Sequence, residues 1–169
     1  MNTDLIVQRD ESVLRLQAND VLPEEFGSEK LKELIHKMSS ILATKKEGVA
    51  IAAPQIGVSK RIFVVAGKVF RKNDDSNVPE DKVFINPKIK KLSISKAILD
   101  EGCLSVDGYF GKILRSEKAT ISAKDIDGKK FTRGASGLLA QIFQHEIDHL
   151  NGILFVDTAT NLEKINVKN

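Results

Sequence analysis

Apolar positions in this chain follow two periods, helical near both ends and closer to strand-like between them. After a break marked by Pro23 and Gly27, Leu31, Leu34, Ile35, Met38, Ile41 and Leu42 recur at three- and four-residue spacing. That stripe predicts one amphipathic helix with Ser28 as its N-cap. His36 lies off the stripe and reads as solvated. A second helical pattern runs from about Ser136 to Asn151, with Leu139, Phe143, Ile147 and Leu150 as its core stripe. Leu138, Ile142, His145 and His149 form an adjacent stripe; Ser136 is the candidate N-cap and Asn151-Gly152 a left-handed stop. Arg61 to Ala66 reads as a strand, and Val83-Phe84-Ile85 as a short one ended by Asn86-Pro87. Ile89 to Leu99 adds further strand, Asp107-Gly108 is a turn signal, and Lys118 to Lys124 forms a hairpin with Asp127-Gly128 and Phe131. The mixed stretch Asp4 to Val21 reads as an extended arm or short turn, and Gly67 to Asp81, with Asn73, Asp74 and Asp75, as a surface loop. After Leu154-Phe155-Val156 the chain turns polar. The expected fold is α+β: antiparallel or mixed sheets packed around a central C-terminal helix, with one N-terminal helix. With no repeat or linker, residues 1–169 are expected to form a single domain.

Composition narrows the function classes. A charged fraction of 29% and a hydrophobic fraction of 41% fit a globular chain. A net charge of +3, one tyrosine and no tryptophan give neither a basic stripe nor a stacking platform, so no specific nucleic-acid binding is expected. No apolar run is long enough to span a membrane. Asp4, Asp10 and Glu11 argue against a signal or transit peptide. The expected location is cytoplasmic, with an organellar or phage-encoded origin left open. Cys103 is the only cysteine, so no intrachain disulfide forms. A free cysteine is most often a small buried hydrophobe.

Chemistry enters with Gln144-His145-Glu146-Ile147-Asp148-His149. Side chains four apart on a helix lie about 5–6 Å from each other, close enough for two imidazoles to meet one metal ion. His-Glu-x-x-His is a general zinc-protease motif. A catalytic metal site keeps an open position, typically with three protein ligands and a water. Cys103, His145 and His149 are the natural set here, and Glu146 is placed to take a proton from the water. The small residues of Glu47 to Gly57 read either as a tightly packed loop or as a place where backbone closely approaches a ligand.

Three motifs in order make the chain similar to the peptide deformylase family. Gly48 to Gly57 resembles that family's Gly-x-Gly-x-Ala-Ala-x-Gln motif; Glu101-Gly102-Cys103-Leu104-Ser105 and Gln144 to His149 match its second and third. The resemblance extends over roughly Ile6 to Val156. It implies hydrolysis of the formyl group from N-formylmethionyl peptides, with metal-activated hydroxide attacking the formyl carbon and Glu146 as general acid/base. By the same resemblance Cys103, His145 and His149 hold one divalent ion, commonly Fe(II), with Zn(II) or Ni(II) able to take its place. The Gln55 amide and the Leu104 backbone N–H would stabilise the oxyanion. Val49, Leu99, Leu138 and Ile142 would line the methionine slot, and the peptide would pair as an added strand along Val49-Ala50-Ile51 and beside Gly102.

Several positions depart from the family pattern. Ala50 replaces the second glycine of the first motif, which tightens the groove. Gln141, one helical turn before His145, stands where an apolar pocket residue is usual. Asp107 takes a common proline position and Phe110 that of a basic residue, whereas Arg115 matches a family arginine. The Gly67 to Asp81 loop is longer than in compact members. The chain ends soon after Val156, without room for the long terminal helix that contacts the ribosome in some bacterial members, so the ribosome is only weakly supported as a partner. Two other readings remain at this stage: a zinc metallopeptidase, which leaves Cys103 and Gln55 unexplained, and a catalytically silent relative.

Overall fold

Ser28 caps the first helix through its side chain, which accepts from Leu31 N–H at 3.2 Å. Helix α1 then runs Glu29–Ala43 and buries Leu31, Met38, Ile41 and Leu42. The computed structural model describes residues 5–73 and 76–165; Asp4, Asp74 and Asp75 lie outside them. Beyond α1 come β1 (Ala50–Ala52), β2 (Ile62–Val65), β3 (Lys82–Leu92), β4 (Lys96–Cys103), β5 (Val106–Ser116), β6 (Lys118–Lys124) and β7 (Lys130–Ser136). Helix α2 (Gly137–Leu150) and β8 (Thr160–Lys164) complete the order. The architecture is α+β.

The strands form two sheets, ordered β1-β2-β3-β6-β7 and β4-β5-β8, with every ladder antiparallel. An isolated parallel bridge joins Asn19 to Lys60. Strand alternation sorts the core of the larger sheet. Ala50, Ala52, Phe63 and Val65 share one cluster with Phe143, Ile147 and Leu150 of α2, and Phe63 stacks on Phe84 at 4.7 Å. Ile51, Ile62, Val64 and Ile85 join Met38, Ile41 and Leu42 of α1. With both faces of β2 covered, its four residues are all buried, which is why the stretch reads as a continuous apolar run. Leu14, Val106, Ile113, Leu154 and Phe155 form the core behind the smaller sheet.

Four expectations need correction. Asn86-Pro87 does not end a strand; β3 continues through it at a register shift. Asn86 takes φ 49°, while its side chain bonds both Val21 N–H and Val21 O. Proline is tolerated in a strand at such an irregularity because no ladder N–H is required of it. Asp107-Gly108 is not the hairpin turn. The turn is Leu104-Ser105, and Asp107-Gly108-Tyr109 bulges out of β5 between the pairs Cys103↔Val106 and Gly102↔Phe110. Ser136 does stand at the N-cap of α2, as expected, but its side chain makes no cap bond. Finally, the polar end contains β8, which pairs with β5 although all five of its residues are exposed. Its stop at the other end of α2 is Gly152, at φ 75°, where a Cβ would come within 2.6 Å of the Arg15 carbonyl oxygen.

Candidate metal centre

Strand β4 ends at Cys103, and α2 carries His145 and His149 past it on successive turns, their rings 4.9 Å apart. One ligand atom from each of Cys103, His145 and His149 lies within 4.8 Å of the others. Cys103 Sγ is 3.2 Å from His149 Nε2. His145 Nδ1 meets Glu101 Oε1 at 2.5 Å, which fixes the ring and leaves its Nε2 for another partner. Glu101 is itself held from three sides. Arg115 donates from Nη2 at 2.5 Å and Nε at 3.1 Å, and Gln141 Nε2 donates at 3.1 Å. Arg115 also pairs with Asp148 at 2.6 Å. Sequence alone did not reveal the Glu101 role: the pairing depends on β4 lying against α2, and only the burial of an acid beside the cysteine could have hinted at it.

Burial and neighbouring charge act in opposite directions across this cluster. Burial works against ionised Glu101, but bonds from His145 and Arg115 outweigh it and hold the carboxyl at about 2. Burial also disfavours a charged His145, yet Cys103 and Glu101 win and raise that imidazole well above its ordinary range. His149 goes the other way: burial and the neighbouring His145 push it well below, keeping the ring neutral. Glu146 is raised to about 7, chiefly by burial, with Glu101 and Asp148 adding to the rise and His145 and Arg115 opposing it. A neutral imidazole and a carboxyl that titrates near neutrality are the states a ligand and a proton carrier require.

Gln55 sits in the turn Ala53–Ile56 that follows β1 and is fully buried. Its amide orientation is decided by chemistry, since Ala52 N–H can only donate and does so to Gln55 Oε1 at 2.9 Å. Nε2 is therefore turned toward Ser105 Oγ, at 3.2 Å, and Cys103 Sγ, at 3.6 Å. Gln144, by contrast, is consumed in structure: its amide exchanges bonds with Ser116 N–H and O and donates to Ala140 O, each at 2.9 Å. Leu104 is in the hairpin turn beside Cys103.

A cleft of about 690 Å³ opens onto these groups, and Val49, Ala50, Gln55, Gly102, Leu138, Gln141, Ile142, His145 and Glu146 line it together with Cys103 and Leu104. β1 and β4 are terminal strands of their sheets, and Ala50 and Gly102, one from each, face the same cleft. Ile51 and Leu99 do not line it. Ile51 alternates to the far face of β1 and is buried against α1, so only its backbone is available on the cleft side. Leu99 pairs with Ile113 and stays half-buried outside the cleft wall. Gln141 reaches the wall, but its amide N–H groups are taken by Asp100 O at 3.0 Å and by Glu101.

The donor set suits a divalent cation: a soft thiolate, two imidazoles and an adjacent carboxylate. Glu146 Oε2 and His149 Nδ1 are buried side-chain atoms with no hydrogen-bond partner among the described residues. Glu146 as a residue also lines the cleft.

The sequence model of polypeptide deformylases matches residues 3–165. The chain belongs to the polypeptide deformylase family. A peptide deformylase of Halothermothrix orenii is 40% identical over 153 residues, covering 89% of each chain. Peptide deformylase 1B, chloroplastic/mitochondrial, of Arabidopsis thaliana is 35% identical over 92% of this chain, which spans only 54% of that longer relative. A class I type b peptide deformylase from Acinetobacter baumannii, solved with Met-Ala-Ser bound, superposes with a TM-score of 0.80 at 35% identity, covering 90% of this chain and 97% of that one. Deformylases are metal-dependent hydrolases that remove the formyl group from an N-terminal methionine, and this chain is an enzyme of that class. No helix among the described residues is long and apolar enough to cross a membrane.

Proposed function

We propose that Cys103, His145 and His149 hold a single divalent ion, Fe(II) in the cell with Zn(II) or Ni(II) able to replace it, and that the cleft accepts N-formylmethionyl peptides. The choice of iron rests on the family resemblance, since the ligand types alone fit zinc equally well. The chemistry such an ion supplies when bound is Lewis acidity toward water and carbonyl oxygen. Glu146 accepts the proton of the attacking water on its carboxylate and returns it to the leaving amine. Gln55 Nε2, together with the Leu104 N–H, donates to the oxygen that becomes negative as the formyl carbon turns tetrahedral. The observation that carries this reading is the locked Gln55 amide: Ala52 N–H holds Oε1, so a fixed donor points to the side of the ligand cysteine. A metallopeptidase reading leaves the Cys103 ligand and the match to the deformylase family unexplained.

The peptide backbone adds to the edges of β1 and β4 at Ala50 and Gly102, and Leu138, Gln141, Ile142 and Val49 surround the first side chain. Residues 1–169 act as one domain in this reading. The compartment is one where formylated chains are made, in the first place the cytoplasm of a bacterial-type cell. The test uses protein purified without oxygen and loaded with Fe(II), offered formyl-Met-Ala-Ser and Met-Ala-Ser. Formate released from the first peptide, and lost in Glu146→Ala, is the expected result. Cleavage of an internal peptide bond instead, or metal retention without turnover, overturns the proposal.

A further inference from the structure

The N-terminal arm crosses the mouth of the cleft, and the deformylase reaction as set out above gives it no task. Ile6 is buried in the α1 cluster beside Ile56, which anchors the arm. Val7 N–H donates to the Gln55 backbone oxygen at 2.9 Å. The next side chain reaches the other half of the site: Gln8 Nε2 donates to Leu104 O at 3.1 Å, and Gln8 Oε1 accepts from Asp107 N–H at 3.2 Å. The orientation of this amide is again unambiguous, because a carbonyl can only accept and a backbone N–H only donate. Nε2 lies also 3.3 Å from Ile6 O, a bond within the arm.

Leu104 O and Ser105 N–H belong to one planar peptide, so fixing one end fixes the other. At the far end of that plane, Ser105 N–H donates to Cys103 Sγ at 3.4 Å. Ser105 Oγ, on the same residue, accepts from Gln55 Nε2. We infer that Gln8 is a positioning residue: by holding the Leu104–Ser105 peptide it sets the N–H···S bond to the sulfur of Cys103. The inference rests on the proposed role of Cys103. An N–H donated to a thiolate withdraws charge from sulfur and weakens its donation to a metal, so the peptide's tilt reaches the ion through one bond.

Gln8 is exposed, which separates this role from a structural one. Removing its amide leaves no buried group unpaired in the core, and exposed substitutions away from special features change stability only slightly. For a chain of this size that is a change of about 1–2 °C in Tm. The useful variants are Gln8→Met, which keeps the length and loses both bonds, and Gln8→Glu. The glutamate still accepts from Asp107 N–H but, ionised, offers Leu104 O no donor. In both, kcat for formyl-Met-Ala-Ser should fall about tenfold, the lower end for residues supporting a metal ligand, with KM within about twofold. A second readout needs no turnover. In the Co(II)-substituted protein without substrate, the sulfur-to-cobalt charge-transfer band should move in both variants, and chelator removal of the ion should change in rate. Wild-type kcat together with a wild-type band overturns the inference, as does a fall in kcat that merely tracks loss of folded protein. Failure of the underlying reading would show separately, as absence of formate from the wild-type enzyme.

Discussion

Replacing Glu101 by glutamine tests the charge cluster behind the metal centre in one step. The carboxylate accepts from Arg115, Gln141 and His145, and both members of the Arg115–Glu101 pair are below 10% exposed, at 8% and 5% of side-chain surface. Two independent routes give the cost. Lowering the carboxyl from its ordinary 4.5 to about 2 is worth about 3 kcal/mol, at about 1.4 kcal/mol per pKa unit. Removing one partner of a buried ion pair costs about 3–5 kcal/mol. Here Arg115 keeps Asp148 at 2.6 Å, and that aspartate is 27% exposed, which favours the lower end. The sign with pH follows from linkage. A carboxyl whose folded pKa is depressed stabilises fully above its unfolded value and loses that contribution as pH falls toward the folded one. The contribution of Glu101 should therefore be complete above about pH 5, fall by about half by pH 3, and vanish below about pH 2.

The assay is urea unfolding of metal-free wild type and Glu101→Gln at a series of pH values. The variant should be about 3 kcal/mol less stable at pH 7, and the gap should narrow by roughly half at pH 3. A second measurement follows the metal: with a neutral amide opposite His145 Nδ1, affinity for Zn(II) should drop about 10–100-fold. A gap below about 1 kcal/mol at pH 7, or one that stays constant down to pH 3, would refute the charge argument.

Two further outcomes follow from the same geometry. Gln55→Ala should lower kcat about 10²–10³-fold with little change in KM, but it also strips the partner from buried Ala52 N–H. Gln55→Glu keeps that acceptor and loses the donor but adds a buried ionisable group, so the two variants are read together, and near-wild-type kcat in either one would sink the oxyanion role. Metal uptake at pH 7 should release about one proton or more per ion, because His145 must give up the proton its neighbours stabilise and a cation lowers Glu146 from about 7. Titration calorimetry in buffers of different ionisation enthalpy measures the number, and zero released protons would contradict the protonation pattern.

What could be read directly from sequence was local chemistry. The His145 and His149 spacing is carried by a single helix, and the Ser28 cap and the two apolar stripes need only neighbouring residues. Cys103 and Gln55 could be nominated by motif, and the structure brings both to the helix. The residues expected along the cleft were less accessible. Leu138 and Ile142 follow from the helical face that carries His145, but Ile51 and Leu99 required knowing which side of β1 and β4 faces the cleft. The supporting shell was hidden for a simple reason. Glu101 meets His145 across 44 residues, and Gln8 meets Leu104 across 96, so both contacts depend on how separate elements dock. Strand β8 was hidden differently, since all five of its residues are exposed and no apolar alternation marks it. The left-handed signals at Asn86 and Gly108 were present, but sequence could not tell a bulge within a strand from a turn between strands.

The position of the cleft follows from the same topology. Two sheets each end in a terminal strand, β1 and β4, and side chains from α2 and the arm join them around the cleft. An open seam offers backbone edges to a peptide without any change of fold. It also brings together residues no single element could supply: a thiol from the end of β4, imidazoles from α2, and an amide from the turn after β1. Each donor is then fixed by a partner from a different element. Glu101 of β4 fixes His145, Ala52 of β1 fixes Gln55, and Gln8 of the arm fixes the Leu104–Ser105 peptide. Burial chiefly lifts the Glu146 carboxyl to about 7, and the surrounding charges trim that rise, Glu101 and Asp148 adding to it and His145 and Arg115 opposing it. A cluster with more negative charge would hold Glu146 protonated, and one with less would leave it a weak base. The neutral amides at Gln55 and Gln141 therefore do more than hold geometry: they satisfy buried partners without adding charge to a site whose proton transfers depend on that balance.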